Sequence, residues 1–107
     1  MIDDRMGHCE FLTNHAKVLL CVADDPNTRL RDIAAVVGIT ERAAHRLVAE
    51  LVEDGYVIRE RQGRRNSYTV EPGLPLPHPL VRERRVGELL DVLLGADGDG
   101  PAPGGRT

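Results

Sequence analysis

Residues 32 to 51, DIAAVVGITERAAHRLVAEL, hold the tightest constraint in the chain: two apolar stripes of helical period separated by one glycine and a three-residue gap. Ile33, Ala34 and Val37 share one face of a first helix, and Gly38 ends it in the left-handed conformation that glycine tolerates. Thr40 reads as the N-cap of a second helix, with Glu41 favourable at its positive end and Ala44, Leu47, Val48 and Leu51 buried at i, i+3, i+4 and i+7. The corner between the two is short, so Ala34 must be small where they cross, and Ile39 plugs the inside of the angle. Aromatic residues make up only 3% of the chain, so the core has to be built from Leu, Val, Ile and Ala, which favours packed helices over a sandwich.

At 107 residues there is room for one ordinary domain with trimmings. Upstream of the corner, Thr13 or Asn14 caps a helix carrying Ala16, Leu19, Leu20 and Ala23 until Asp24-Asp25-Pro26-Asn27 stops it. Val18 and Val22 form a second apolar flank, so this helix needs an additional packing partner. Downstream, Asp54-Gly55 closes the second corner helix, and YVIRER and NSYTV alternate in twos around a QGRR hairpin tip. Tyr56, Ile58, Tyr68 and Val70 are expected on the buried side, and Arg59 and Arg61 on the strand surface.

Four prolines in EPGLPLPHP make residues 72–79 a stiff extended strap, expected to act as a spacer. A last helix is expected over 80–94, with Val86, Leu89, Leu90 and Leu93 as its stripe and Gly87 costing about 1 kcal/mol relative to alanine. Residues 1–12 read as a loose arm and 95–107 as a disordered tail.

Net charge is −3, but its placement is uneven: residues 29–71 hold eight arginines against seven acids, whereas the remainder holds six basic and ten acidic residues. The middle is the basic part. Helix, three-residue turn and helix, followed by a Gly-Tyr strand start and Gly-Arg-Arg-Asn before a Tyr-containing strand, resembles the winged helix-turn-helix domain of bacterial transcriptional regulators, in the broad MarR-like and IclR-like neighbourhood. The resemblance covers residues 13–71, 59 of the 107. One departure is Ala44, where such domains more often carry valine or isoleucine.

The resemblance implies a mainly α fold with a small β-hairpin wing plus a C-terminal helix, and a recognition helix over residues 40–54 that enters the major groove of double-stranded DNA. On that helix Arg42 and Arg46 would contact guanine or phosphate, Ala43 a thymine methyl, and His45 a base or phosphate, while Thr40 and the helix-end amides suit a phosphate. Arg64, Arg65 and Asn66 of the wing would lie on the backbone or in an adjacent minor groove, and Arg29 and Arg31 would add phosphate contacts. A solvated arginine face with i,i+4 pairing to Glu50 is the plainer reading of Arg42 and Arg46. The implied function is sequence-specific transcriptional regulation. Its rival is a protein-interaction winged helix without DNA binding, favoured by the net acidity and by Glu41, Glu50, Glu53 and Asp54.

Leu19 on the first helix and Val86, Leu89, Leu90 and Leu93 on the last are expected to form a homodimer, which would present two recognition helices to two half-sites. No catalytic motif, cofactor or metal site is expected: Cys9, Cys21, His8 and His15 match no chelating spacing. No effector pocket is evident. The longest near-apolar stretch, Val18 to Ala23, falls far short of the roughly 20 residues of a membrane span, and a cytoplasmic protein is expected.

Overall fold

A computed structural model describes residues 10–95, so the expectations for His8 and Cys9, for most of the arm and for the tail past Gly95 fall outside the described residues. The elements run α1 (Asn14–Asp24), α2 (Leu30–Val37), α3 (Glu41–Glu53), β1 (Val57–Gln62), β2 (Arg65–Val70) and α4 (Val86–Leu94). This is the mainly α chain with one hairpin and a C-terminal helix that the sequence implies. Among the described residues no helix is long and apolar enough to cross a membrane.

α1 and α3 start, and α2 stops, where local chemistry directs. Thr13 Oγ1 accepts from the Ala16 N–H at 3.1 Å, and Thr40 Oγ1 accepts from the Ala43 N–H at 3.0 Å. Each hydroxyl satisfies an amide that the first helical turn leaves without a carbonyl partner. Gly38 closes α2 at φ 87°, its N–H bonded to the Ala34 carbonyl at 2.8 Å. Ala44 is fully buried, so the corner between α2 and α3 is closed despite the small side chain.

On α1 the deepest residues are Val18 and Val22, the flank, whereas Ala16, Leu20 and Ala23 are half-buried. The ranking inverts because α1 is the hub of the fold: it touches α2, α3, β2 and α4. Ala16, Leu19 and Leu20 turn toward α4 and the strap, which leaves Val18 and Val22 for the main core.

The hairpin corrects one expected register. Val57 is buried and Ile58 is 44% exposed, the reverse of the expected alternation. The cause lies at the end of α3. Gly55 donates to the Val52 carbonyl and Tyr56 to the Leu51 carbonyl, a paired closure that needs the positive φ of Gly55 and absorbs Tyr56 into the helix stop. The strand therefore begins one residue later, and a one-residue shift exchanges its faces. Val57 then pairs with Val70, Arg59 with Tyr68 and Arg61 with Asn66. Gln62 opposite Arg65 leaves a two-residue turn, Gly63-Arg64, with Gly63 at φ 65°.

The last helix begins at Val86 rather than Leu80, because the residues before it are engaged by the strap. Pro75 and Arg85 form an antiparallel bridge, flanked by Leu76 N–H to Arg84 O and Val86 N–H to Leu74 O, both 2.9 Å. Glu88 Oε1 then accepts from the Arg85 N–H at 3.0 Å and starts the helix. So the strap is a bonded return rather than a simple spacer, anchored also by the Tyr56 hydroxyl, which donates to the Pro75 carbonyl at 3.2 Å.

Gly87 has a steric reason. A Cβ there would sit 2.7 Å from Pro72 Cβ and 3.2 Å from Pro72 O, and the Gly87 N–H donates to that same carbonyl. Only glycine lets α4 lie this close. Consequently Leu19, Val86 and Leu90, expected at a dimer interface, are buried within the chain itself, at 7%, 2% and 7% exposure. Their apolar surface is already covered. The extra partner that α1 requires is α4 of the same molecule.

Candidate nucleic-acid interface

Arg42, His45 and Arg46 are exposed along α3, and Ala43 between them is half-buried. Arg42 makes no ion pair among the described residues. Arg46 does: its Nη1 lies 3.1 Å from Glu50 Oε2, and Glu50 Oε1 lies 2.7 Å from His15 Nε2 on α1. The His15 hydrogen bond, with the Arg46 guanidinium adding to it, holds the Glu50 carboxyl below the usual carboxylate range against the opposing effect of desolvation. The i,i+4 pairing considered for this face is thus present at Arg46, and the side chain remains 63% exposed.

The wing divides its two adjacent arginines. Arg64 occupies the turn and is exposed, whereas Arg65 belongs to β2 and its Nη2 donates to the Asn27 carbonyl at 3.0 Å. One lies free in the turn and the other is tied to the α1–α2 loop, so the two consecutive arginines do not make a single contact surface. The Tyr68 N–H takes the Pro26 carbonyl at 2.9 Å, so the α1–α2 loop lines the free edge of β2. Arg65 therefore ties the wing to that loop.

Between that loop, the start of α2, the start of α3 and β2 lies an open cleft of about 450 Å³. Arg29, Arg31, Arg65 and Asn66, all named from the sequence, line it together with Thr28, Glu41 and Tyr68. The cleft is the feature that unites the scattered residues. Arg29 occupies the N-cap position of α2 with no side-chain hydrogen bond to the helix end, so the first amides of α2 are left without a side-chain acceptor. Thr40, by contrast, already uses its hydroxyl on Ala43.

Sequence reasoning missed the place of Glu41 in this cleft and the alignment of Arg61 with it. Register pairs Arg61 with Asn66 and so sets both on one face of the hairpin, where the Arg61 Nε donates to the Gly63 carbonyl at 3.1 Å. Counting back from a two-residue turn would have found Arg61; nothing local marks Glu41.

Ala16, Leu19, Leu20, Leu76, Leu90 and Leu93 line a small apolar cleft of about 140 Å³ under the strap. No pocket was expected there. Cys21 is half-buried beside Leu20, and burial, with the Asp24 carboxylate adding to it, pushes its thiol pKa up, as suits a small hydrophobe in a helix. His15, the other candidate ligand among the described residues, is bonded to Glu50. No cluster of three metal-ligating side chains occurs among the described residues.

A helix pair with a three-residue corner, a leading helix across its back and a two-stranded hairpin after it define a winged helix-turn-helix fold. Residues 12–58 match the family model of winged helix-turn-helix DNA-binding domains, a span that takes in α1, α2 and α3 and ends as β1 begins. Among solved structures, one described as the crystal structure of the predicted DNA-binding transcriptional regulator from E. coli is similar, with a TM-score of 0.53 and 15% identity. The alignment covers 74% of this chain and 72% of that one, and the likeness is one of fold. No curated protein sequence matches the chain.

Proposed function

We propose that this protein is a transcriptional regulator that binds duplex DNA sequence-specifically as a homodimer in the cytoplasm, rather than an enzyme. In this reading α3 enters the major groove with Arg42, His45 and Arg46 toward bases and phosphates, and Ala43 near a thymine methyl. Arg64 and Asn66 of the wing, with Arg29 and Arg31, hold the flanking backbone or minor groove. The observation that carries it is the continuous exposed edge from Arg42 on α3 through the arginine-lined cleft to the wing, within a fold whose family model is DNA-binding.

The test is DNA binding titrated with salt, comparing wild type with an Arg42→Ala/Arg64→Ala double variant. Arg65 is left intact because it bonds to Asn27. Wild-type affinity should fall steeply with salt, and the double variant should bind more weakly with a log–log slope shallower by roughly one to two. Salt-insensitive or absent binding to genomic fragments would instead support a protein-interaction winged helix.

The dimer surface in this reading is the exposed apolar part of α4, beside the cleft that Leu89 and Leu93 help to line. Leu89 is half-buried, and Val92, Leu93 and Leu94 are 78%, 41% and 43% exposed on a helix whose inner side is already packed. A Val92→Asp/Leu93→Asp variant should be monomeric in light scattering where the wild type is dimeric. A wild-type monomer removes the dimer from the proposal and leaves DNA binding to be judged by the salt titration.

A further inference from the structure

Glu41 is out of place on a surface meant for phosphates. It is the first residue of α3, exposed, and shares the cleft with Arg29, Arg31 and Arg65. Among the described residues it nevertheless forms no ion pair with any of them, and the Arg65 guanidinium is engaged by the Asn27 carbonyl. The charge of Glu41 suits the positive end of α3, a modest effect on an exposed surface, but α3 does not depend on it for capping, since Thr40 already satisfies the Ala43 amide. A carboxylate so placed repels every phosphate that its arginine neighbours attract. The one favourable partner that a major groove offers an acceptor of this kind is an exocyclic amino group, and for a carboxylate the matching donor is cytosine N4.

We propose that Glu41 is a specificity-determining residue, accepting a hydrogen bond from the N4 amino group of a cytosine while the arginines around it hold the flanking phosphates. The inference rests on the DNA-reading function proposed above. The cleft then has a basic rim and a single acid within it: the rim supplies affinity without regard to sequence, and the acid rejects a guanine or thymine edge, which presents no donor, at that position. The negative charge lowers affinity for DNA in general and restores it at the matching site. Selectivity results from that difference.

The experiment is selection from a duplex library with a randomised core, using the full-length wild type, Glu41→Gln and Glu41→Ala, followed by affinities for the selected and a scrambled duplex. Circular dichroism serves as a check that the exposed substitutions leave the fold intact. Wild type should prefer cytosine at one position by about tenfold, Glu41→Gln should move that position toward adenine, and Glu41→Ala should flatten it, other positions being unchanged. Both variants should bind the scrambled duplex several-fold more tightly than wild type. If wild type enriches a sequence whose base preferences neither variant alters, the role of Glu41 is overturned and DNA reading stands. If wild type enriches nothing, both are overturned.

Discussion

α3 and α4 are both short amphipathic helices with apolar inner sides, yet their outer sides answer to different surroundings. Outward, α3 presents Glu41, Arg42, His45 and Arg46; α4 presents Val92, Leu93 and Leu94. A helix exposing arginines is at home in water or against a polyanion. One exposing valine and leucine leaves apolar surface for a second protein surface to cover. The molecule is thus two-sided, with a charged edge at α3 and the wing and an apolar edge at α4, and α1 lies between them.

The comparison breaks most severely at the joint that holds α4 down. Leu90→Ala should lower unfolding free energy by about 3 kcal/mol, as expected for truncating a buried leucine, because only 7% of that side chain is exposed. Leu93→Ala, at 41% exposure, should remove less than about 1 kcal/mol from an isolated chain. Urea titration of both separates the buried part of α4 from its exposed part. Equal losses would mean that α4 does not lie as described.

Gly87→Ala comes next. Helix propensity alone gives a gain of about 1 kcal/mol, but the contact with Pro72 at 2.7 Å reverses the sign. A net loss of about 2 kcal/mol is expected, from overpacking against rigid proline and backbone atoms. A rise in Tm would show that the strap is free to move off the helix. Across the molecule, Thr40→Ala should remove about 1 kcal/mol, through the Ala43 amide left without its acceptor. It should leave dimerisation untouched, which light scattering would check.

The smallest effect concerns the seam between α1 and the outer face of α3. The folded Glu50 carboxyl lies below its ordinary range, so its contribution to stability is present above the unfolded pKa, near 4.5, and is lost as pH falls through the lower folded value. Glu50→Gln should therefore be slightly less stable than wild type near neutrality and converge with it as pH falls below about 4.5, a shallower acid limb in thermal melts across pH. Because the group is exposed, the difference should be small. An unchanged acid limb would mean that neither His15 nor Arg46 holds it in solution.

Much of the charged edge was legible beforehand because its determinants are local. The corner needs Gly38, the caps need Thr13 and Thr40, and the buried stripe of α3 follows from spacing alone. What failed to read ahead was decided by one residue of register or by contact between distant segments. Tyr56 looked like a strand residue and is part of a helix stop; Arg65 looked like a fingertip and is a tie to Asn27. The α4 stripe looked available to a second copy, yet Val86 and Leu90 were already taken.

By itself the sequence determined where α1 and α3 begin and end and where α2 stops, that a hairpin follows them, and that arginines collect on one stretch, because capping, turns and helical period act over four or five residues. Only the tertiary structure decided which of two apolar flanks on α1 is core, why Gly87 must be glycine, and which charged side chains meet across the cleft. Those outcomes depend on which surfaces approach one another, and burial is a property of the pair rather than of either segment.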